Sequence, residues 1–212
     1  DNGAWQPVKF PSNPALPVAS LARTGPASAF IPTPEMAVVG TADGLIQVLQ
    51  YGPAGLATLQ NIQEPNSTIN AVAISPSGDE VVYSYTNEQE VSGLKRWQPG
   101  EAAAQQVIAT ENRKFQHFAY STDGTRFVAG INGGLWIWRL ADNWFEQKTP
   151  ERRVDSIRGE LRNLQGISGS QALLSARFGE GAENRLLLAV LNMNSGELRM
   201  VDLDESFTKS LQ

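Results

Sequence analysis

From position 29 onward, apolar and polar residues alternate with period two in short runs, each bounded by Gly, Pro, Asn, Asp or Ser. Alternation of this kind turns one face of a run toward a core and the other outward, which is the pattern of strands and hairpins. The spacing predicts strands over 36–41, 45–51, 57–62, 69–75, 80–85, 94–97, 105–109, 115–121, 126–131 and 135–140. Four more follow over 161–167, 172–176, 186–191 and 197–201. One stretch competes with this reading, because Val154, Ile157, Leu161 and Leu164 fall at helical spacing. Gly159 in its interior and the lack of an apolar stripe before Val154 favour an inter-strand connection. The predicted fold class is therefore all-β.

The first 34 residues read differently. They hold seven of the twelve prolines: Pro7, Pro11, Pro14, Pro17, Pro26, Pro32 and Pro34. Each removes a backbone donor and fixes φ, so the stretch cannot be helical and cannot supply a central strand. An extended linker or strap is expected over 1–28, with room for one edge strand around 8–10, and a short tail over 206–212.

The strand pattern repeats. INAVAISPSG (69–78) lies over FQHFAYSTDG (115–124) position by position, at an offset of about 46 residues. Each copy is a strand, then a serine (Ser75 or Ser121), then a turn closed by Gly78 or Gly124. Pro76 and Thr122 start the bend, and Ser77 and Asp123 are side chains that bond their own backbone. Second strands VVYS (81–84) and FVAG (127–130) follow at equal distance, and so do third strands LKRW (94–97) and LWIW (135–138). Weaker copies flank the pair, EMAVVG (35–40) with LIQVL (45–49) upstream, and LQGIS (164–168), ALLSA (172–176), LLLAV (186–190) and ELRMV (197–201) downstream. Four strands per unit at a period of about 45 residues is the signature of propeller blades. Four blades of four antiparallel strands are expected over 29–64, 65–110, 111–150 and 157–205.

The two central copies resemble WD40 repeats and the similar TolB-like blades of bacterial propellers. The residues carrying the resemblance are AISPSG (73–78), AYSTDG (119–124) and GLWIW (134–138), the last similar to the family's strand ending in Trp-Asp. The chain departs from the strict pattern where Gln98 follows Trp97 and Arg139 follows Trp138, and no Gly-His pair precedes either blade. The buried His-Asp network of strict WD40 blades does not carry over. What the resemblance implies is a divergent β-propeller, whether within a ring of more blades than four, completed by another chain, or closed as a small ring. It also implies a binding or scaffolding role, and it leans toward a bacterial periplasmic or other extracytoplasmic setting.

Composition narrows the chemistry. Seventeen Lys and Arg against 22 Asp and Glu give a net charge of -5, so no electrostatic footprint for nucleic acid is expected. There is no cysteine and one histidine, which removes thiol chemistry and any His-His metal pair. No run reaches the ~18 apolar residues of a membrane helix, so no membrane insertion is expected. No cofactor, metal site or catalytic residue is expected, and the chain does not read as an enzyme. His117, aligned with Ala71 of the preceding copy, reads as a hydrogen-bonded core residue. No Gly-x-Ser-x-Gly elbow accompanies it.

Five residues stand out as binding candidates. Trp144 and Phe145 follow Asp142 and Asn143 in a predicted turn, where exposed aromatics would anchor a partner peptide or a sugar ring. Asn132 lies in a predicted blade loop over 132–134. Arg152 and Arg153 open a mixed-charge stretch with Glu151, Asp155, Arg158, Glu160 and Arg162, the pattern of a solvated face or a polar interface rather than of phosphate binding. Loops 86–91 and 178–184 join them as contact loops. The functional expectation is a non-catalytic module for a protein or peptide partner, within a larger protein or complex. Alternatives are a propeller attached to a catalytic domain outside this chain, and an extracytoplasmic small-ligand or glycan sensor.

Overall fold

A computed structural model describes residues 27–29, 36–52, 55–111, 113–131, 134–141, 143–147, 149–155, 157, 160–178 and 185–201. Sixteen strands are described, in four antiparallel four-stranded sheets, and this is an all-β, propeller-like fold. Blade 1 holds β1 (Ala27–Ala29), β2 (Met36–Gly40), β3 (Leu45–Gly52) and β4 (Gly55–Gln63). Blade 2 holds β5 (Ser67–Ile74), β6 (Val81–Asn87), β7 (Val91–Trp97) and β8 (Gln105–Glu111). Blade 3 holds β9 (Phe115–Tyr120), β10 (Arg126–Ile131), β11 (Gly134–Arg139) and β12 (Arg152–Val154). Blade 4 holds β13 (Glu160–Ser168), β14 (Gln171–Phe178), β15 (Arg185–Asn192) and β16 (Leu198–Val201). Each sheet is ordered as the chain runs, a meander of hairpins.

The first strands bring the blades together: β1 packs against β5, β5 against β9, and β9 against β13. Period-two alternation lets a central blade bury both faces. On β6, Val81, Tyr83 and Tyr85 join the core shared with blade 1, while Val82 joins the core shared with blade 3. Three buried clusters result among the described residues, one at each junction between consecutive blades.

The repeated turns form as their sequences dictate. Ser75 Oγ accepts from the backbone N–H of Asp79 and Glu80 and donates to Asp79 Oδ1 at 2.8 Å. Ser121 Oγ accepts from the N–H of Thr125 and Arg126 and donates to Asp123 Oδ1 at 2.7 Å. The carboxylate stands at a different position in the two turns, yet it caps the same serine. Gly78 (φ 77) and Gly124 (φ 68) take the left-handed conformation that closes the bend.

Several expectations need correction. The first blade begins before position 29, since β1 (Ala27–Ala29) pairs with β2. The outer strand of blade 3, β12, lies between the expected blade limits of 150 and 157, because the charged pair Arg152 and Arg153 breaks the alternation that marks a strand. The helical spacing from Val154 to Leu164 needs no correction, since an inter-strand connection is the favoured reading: Val154 closes β12, and Leu161 and Leu164 belong to β13. His117 is not in a regular core register. It occupies a β-bulge with φ 56, half-buried and engaged with neighbours, where β9 slips by one residue against Ala129 and Gly130. Residues 1–26 of the strap expected over 1–28, with its edge strand around 8–10, the tail over 206–212, Asn132 and most of loop 178–184 lie outside the described residues.

Candidate functional site

β7 carries two adjacent cations, Lys95 and Arg96, and successive side chains of a strand point to opposite faces. Lys95 faces blade 1 and Arg96 faces blade 3, and each meets a buried glutamate. Lys95 Nζ donates to both carboxylate oxygens of Glu64 at 2.7 and 2.8 Å, and Tyr83 Oη donates to Glu64 Oε2 at 2.9 Å. Glu64 belongs to the connection from β4 to β5, so this triad ties that connection to the face of blade 2. The Lys95 ammonium also lies 5.0 Å from the centre of the Tyr85 ring.

On the opposite face, Glu80 at the head of β6 accepts from Tyr120 Oη at 2.9 Å and from Trp144 Nε1 at 3.2 Å to each oxygen. Both donors belong to blade 3, so the carboxylate staples two blades. Arg96 Nε is 4.0 Å from Glu80 Oε2, and Arg96 Nη1 is 3.1 Å from Glu101 Oε1. These are ion-pair contacts without hydrogen-bond alignment, since neither nitrogen finds a hydrogen-bond partner among the described residues. Burial pushes the Glu80 carboxyl above its ordinary range, against the opposing pull of Tyr120, Trp144 and the Arg96 charge. Burial, reinforced by the Glu80 charge, raises the Tyr120 phenol as well. The group is built for fixed packing, with its lone pairs directed at structural donors.

The aromatic corner differs from its expected exposure. Trp144 opens a 3-10 turn (Trp144–Glu146), is only 4% exposed, and packs with Phe127 and Trp138 at ring distances of 5.7 and 6.3 Å. A docking role through an exposed Trp144 loses its premise. Phe145 is half-buried and stacks on the Arg96 guanidinium at 3.9 Å. Together the two rings fold the β11–β12 connection over the junction of blades 2 and 3.

The two candidate arginines part company. Arg153 is paired in register with Trp136 and lies over its ring at 4.6 Å, on the face toward blade 2. Arg152 is paired with Ile137, whose side chain enters the core shared with blade 4. Register also places Arg126 directly opposite Arg139 on that second face, a pairing that strand alternation alone did not reveal. Among the described residues no three His, Cys, Asp or Glu side chains gather in a way that could hold a metal ion. No described helix is long and apolar enough to cross a membrane. The chain matches no family model and no curated protein.

Proposed function

We propose that this chain is a non-catalytic protein-binding or scaffolding module of the propeller type, working inside a larger protein or assembly. One observation carries the reading: the outer faces of the two end blades hold partly exposed apolar side chains, while the described apolar side chains at the three junctions between blades are buried. In blade 1, Val39, Leu45 and Leu49 share the face turned away from blade 2, and all three are partly exposed. In blade 4, Leu173, Leu188, Val190 and Val201 share the face turned away from blade 3, with Val201 37% exposed. Apolar side chains grouped on a sheet face are the chemistry of a protein contact rather than of a solvated surface. The divergent WD40-like or TolB-like resemblance points the same way, since rings of such blades present loops on a rigid frame.

The test is the molar mass of the 212-residue chain by size-exclusion chromatography with light scattering, with binding of a hydrophobic dye read in parallel. The reading expects self-association or strong dye binding, and loss of both in a Leu49→Lys, Val190→Lys variant. A strictly monomeric chain that binds no dye overturns it.

A further inference from the structure

We infer that the rim between blades 3 and 4 is a docking site for an acidic peptide segment of a partner protein, held by Arg126, Arg139 and Arg152. This deepens the protein-binding reading above and rests on it. Register fixes the geometry. Arg126 of β10 stands directly opposite Arg139 of β11, and one pair further along the same face Ile137 of β11 stands opposite Arg152 of β12. Directly opposed side chains have Cβ atoms ~5 Å apart and diagonal ones ~7–8 Å, so Arg139 has Arg126 beside it on one neighbouring strand and Arg152 diagonal to it on the other, and the three side chains leave the same face at one end of the sheet. Like charges directly opposite each other on a sheet are destabilising, and folding alone gives no reason to place them so.

Among the described residues little neutralises them. Arg126 Nη1 donates to the carbonyl of its neighbour Thr125 at 3.2 Å, and the Asp123 carboxylate lies close enough to feel the Arg126 charge. That carboxylate already accepts from Ser121 Oγ, Thr125 N–H and Thr125 Oγ1. Glu151 and Glu197 are exposed nearby in sequence or space, yet among the described residues neither forms an ion pair with Arg139 or Arg152. The contrast with Lys95 and Arg96, each given a glutamate by the fold, is plain.

The flank of the site is polar and close. A Cβ on Gly196, in the β15–β16 turn, would lie 3.8 Å from Arg152 Cδ, so this turn borders the arginine stem. Asn194 in the same turn donates from Nδ2 to Ser170 Oγ at 2.8 Å, and Thr122 N–H donates to the Gly169 carbonyl at 3.0 Å, closing the rim between the two blades. Guanidinium forks at this spacing match successive carboxylates of an extended peptide. The net charge of -5 argues against a long polyanion such as nucleic acid, whose binding needs a basic field over many phosphates.

The experiment is fluorescence anisotropy on the full chain with a fluorescein-labelled peptide of alternating Glu and Ser. Its Gln-for-Glu counterpart and a labelled oligothymidine are run beside it. The acidic peptide is expected to bind, to weaken with added salt, and to lose about tenfold or more affinity in Arg139→Gln, Arg152→Gln. The exposed single variant Arg152→Gln, checked by circular dichroism, guards against misfolding of the double variant and is expected to lose a part of that affinity. Equal binding of the Gln peptide, or no loss in the variants, overturns the acidic site while leaving the protein-binding reading to the light-scattering test. No binding of the acidic peptide overturns the site in the same way. Tighter binding of the oligothymidine overturns it in favour of a nucleic-acid surface.

Discussion

The junction between blades 2 and 3 and the junction between blades 3 and 4 hold sheets of the same kind together by different means. The first is threaded by directed polar contacts: Glu80 between Tyr120 and Trp144, Arg96 beneath Phe145, and Ser84 Oγ donating to the Phe115 carbonyl at 2.9 Å. The second is a core of small and branched side chains, Ala119, Val128, Leu135 and Ile137 against Leu164, Ala172, Leu174 and Ala176. It gains closeness from glycine: a Cβ on Gly166 would sit 2.2 Å from the Tyr120 carbonyl oxygen, and one on Gly130 2.5 Å from Leu161 Cδ2. Apolar burial is non-directional and tolerates small slips between sheets. A hydrogen-bonded buried carboxylate does not, because a slip strands its partners. The polar junction therefore fixes how blade 3 is set on blade 2 through buried side chains, whereas the apolar one fixes chiefly how near blade 4 approaches, its directed contact being the backbone bond from Thr122 N–H to the Gly169 carbonyl at the rim.

The largest effect should come from removing the staple. Glu80→Ala leaves Tyr120 Oη and Trp144 Nε1 buried without their acceptor and takes one of two carboxylates from Arg96, and is expected to destabilise the fold by about 3–5 kcal/mol in chemical denaturation. Glu80→Gln keeps an acceptor oxygen and is expected to lose about 1–3 kcal/mol. If Glu80→Ala costs no more than a surface substitution, the polar junction does not set the blade orientation. A smaller effect is expected at the apolar junction. Gly166→Ala forces the β9 and β13 backbones apart and is expected to cost about 1–3 kcal/mol by overpacking. Retention of wild-type stability would mean that this junction is loosely packed.

The same contrast explains what could be read from the chain. The strands of blade 2 and the first three of blade 3 are legible because alternation and turn chemistry agree: Ser75 to Gly78 and Ser121 to Gly124 close their bends with their own side chains, a local property. The fate of Trp144 is not local. Its partner Glu80 lies 64 residues upstream, and nothing in the turn around Asn143 announces it. The sheet membership of Arg152 to Val154 is likewise set by β11, which supplies the pairing edge. The bulge at His117 leaves no mark in the hydrophobic pattern, so alignment by repeat placed it in a regular strand. The separation of Arg152 from Arg153, by contrast, needs only the period of a strand. It became visible once β12 was recognised as one.

Acidity distinguishes the groups further. The Asp79 carboxyl is held below its ordinary range chiefly by Ser77 and Ser75, and that of Asp123 by Ser121 and Thr125. A carboxylate with a lowered folded pKa contributes stability above its unfolded pKa and loses it as pH falls, so both turns weaken as pH drops below 3.8, the ordinary value of an unfolded Asp. Glu80 runs the opposite way. With its folded pKa raised, its contribution is full below the unfolded value of 4.5 and declines as pH rises from there through the folded pKa. Thermal melts across pH 3 to 8 should therefore show an acid limb that Asp123→Asn flattens and a decline above it that Glu80→Gln removes. An unchanged profile in Glu80→Gln would show that the junction carboxyl does not titrate in this range.

The smallest expected effect separates the two faces of blade 3 directly. Arg153 lies over Trp136, whose ring is 4% exposed and packs edge-on against Phe115 at 5.6 Å. Arg153→Ala removes a cation from the ring face and uncovers part of the indole, for a loss of about 0.5–1 kcal/mol. Arg152→Ala, one residue away on the other face, removes no ring contact and relieves the crowding of charge beside Arg139, so stability should hold or rise slightly. The pair of denaturation curves thus assigns one arginine to packing and the other to the open rim. If the two substitutions cost the same, alternation along β12 does not divide their roles, and the assignment of Arg152 to a ligand-facing surface fails with it.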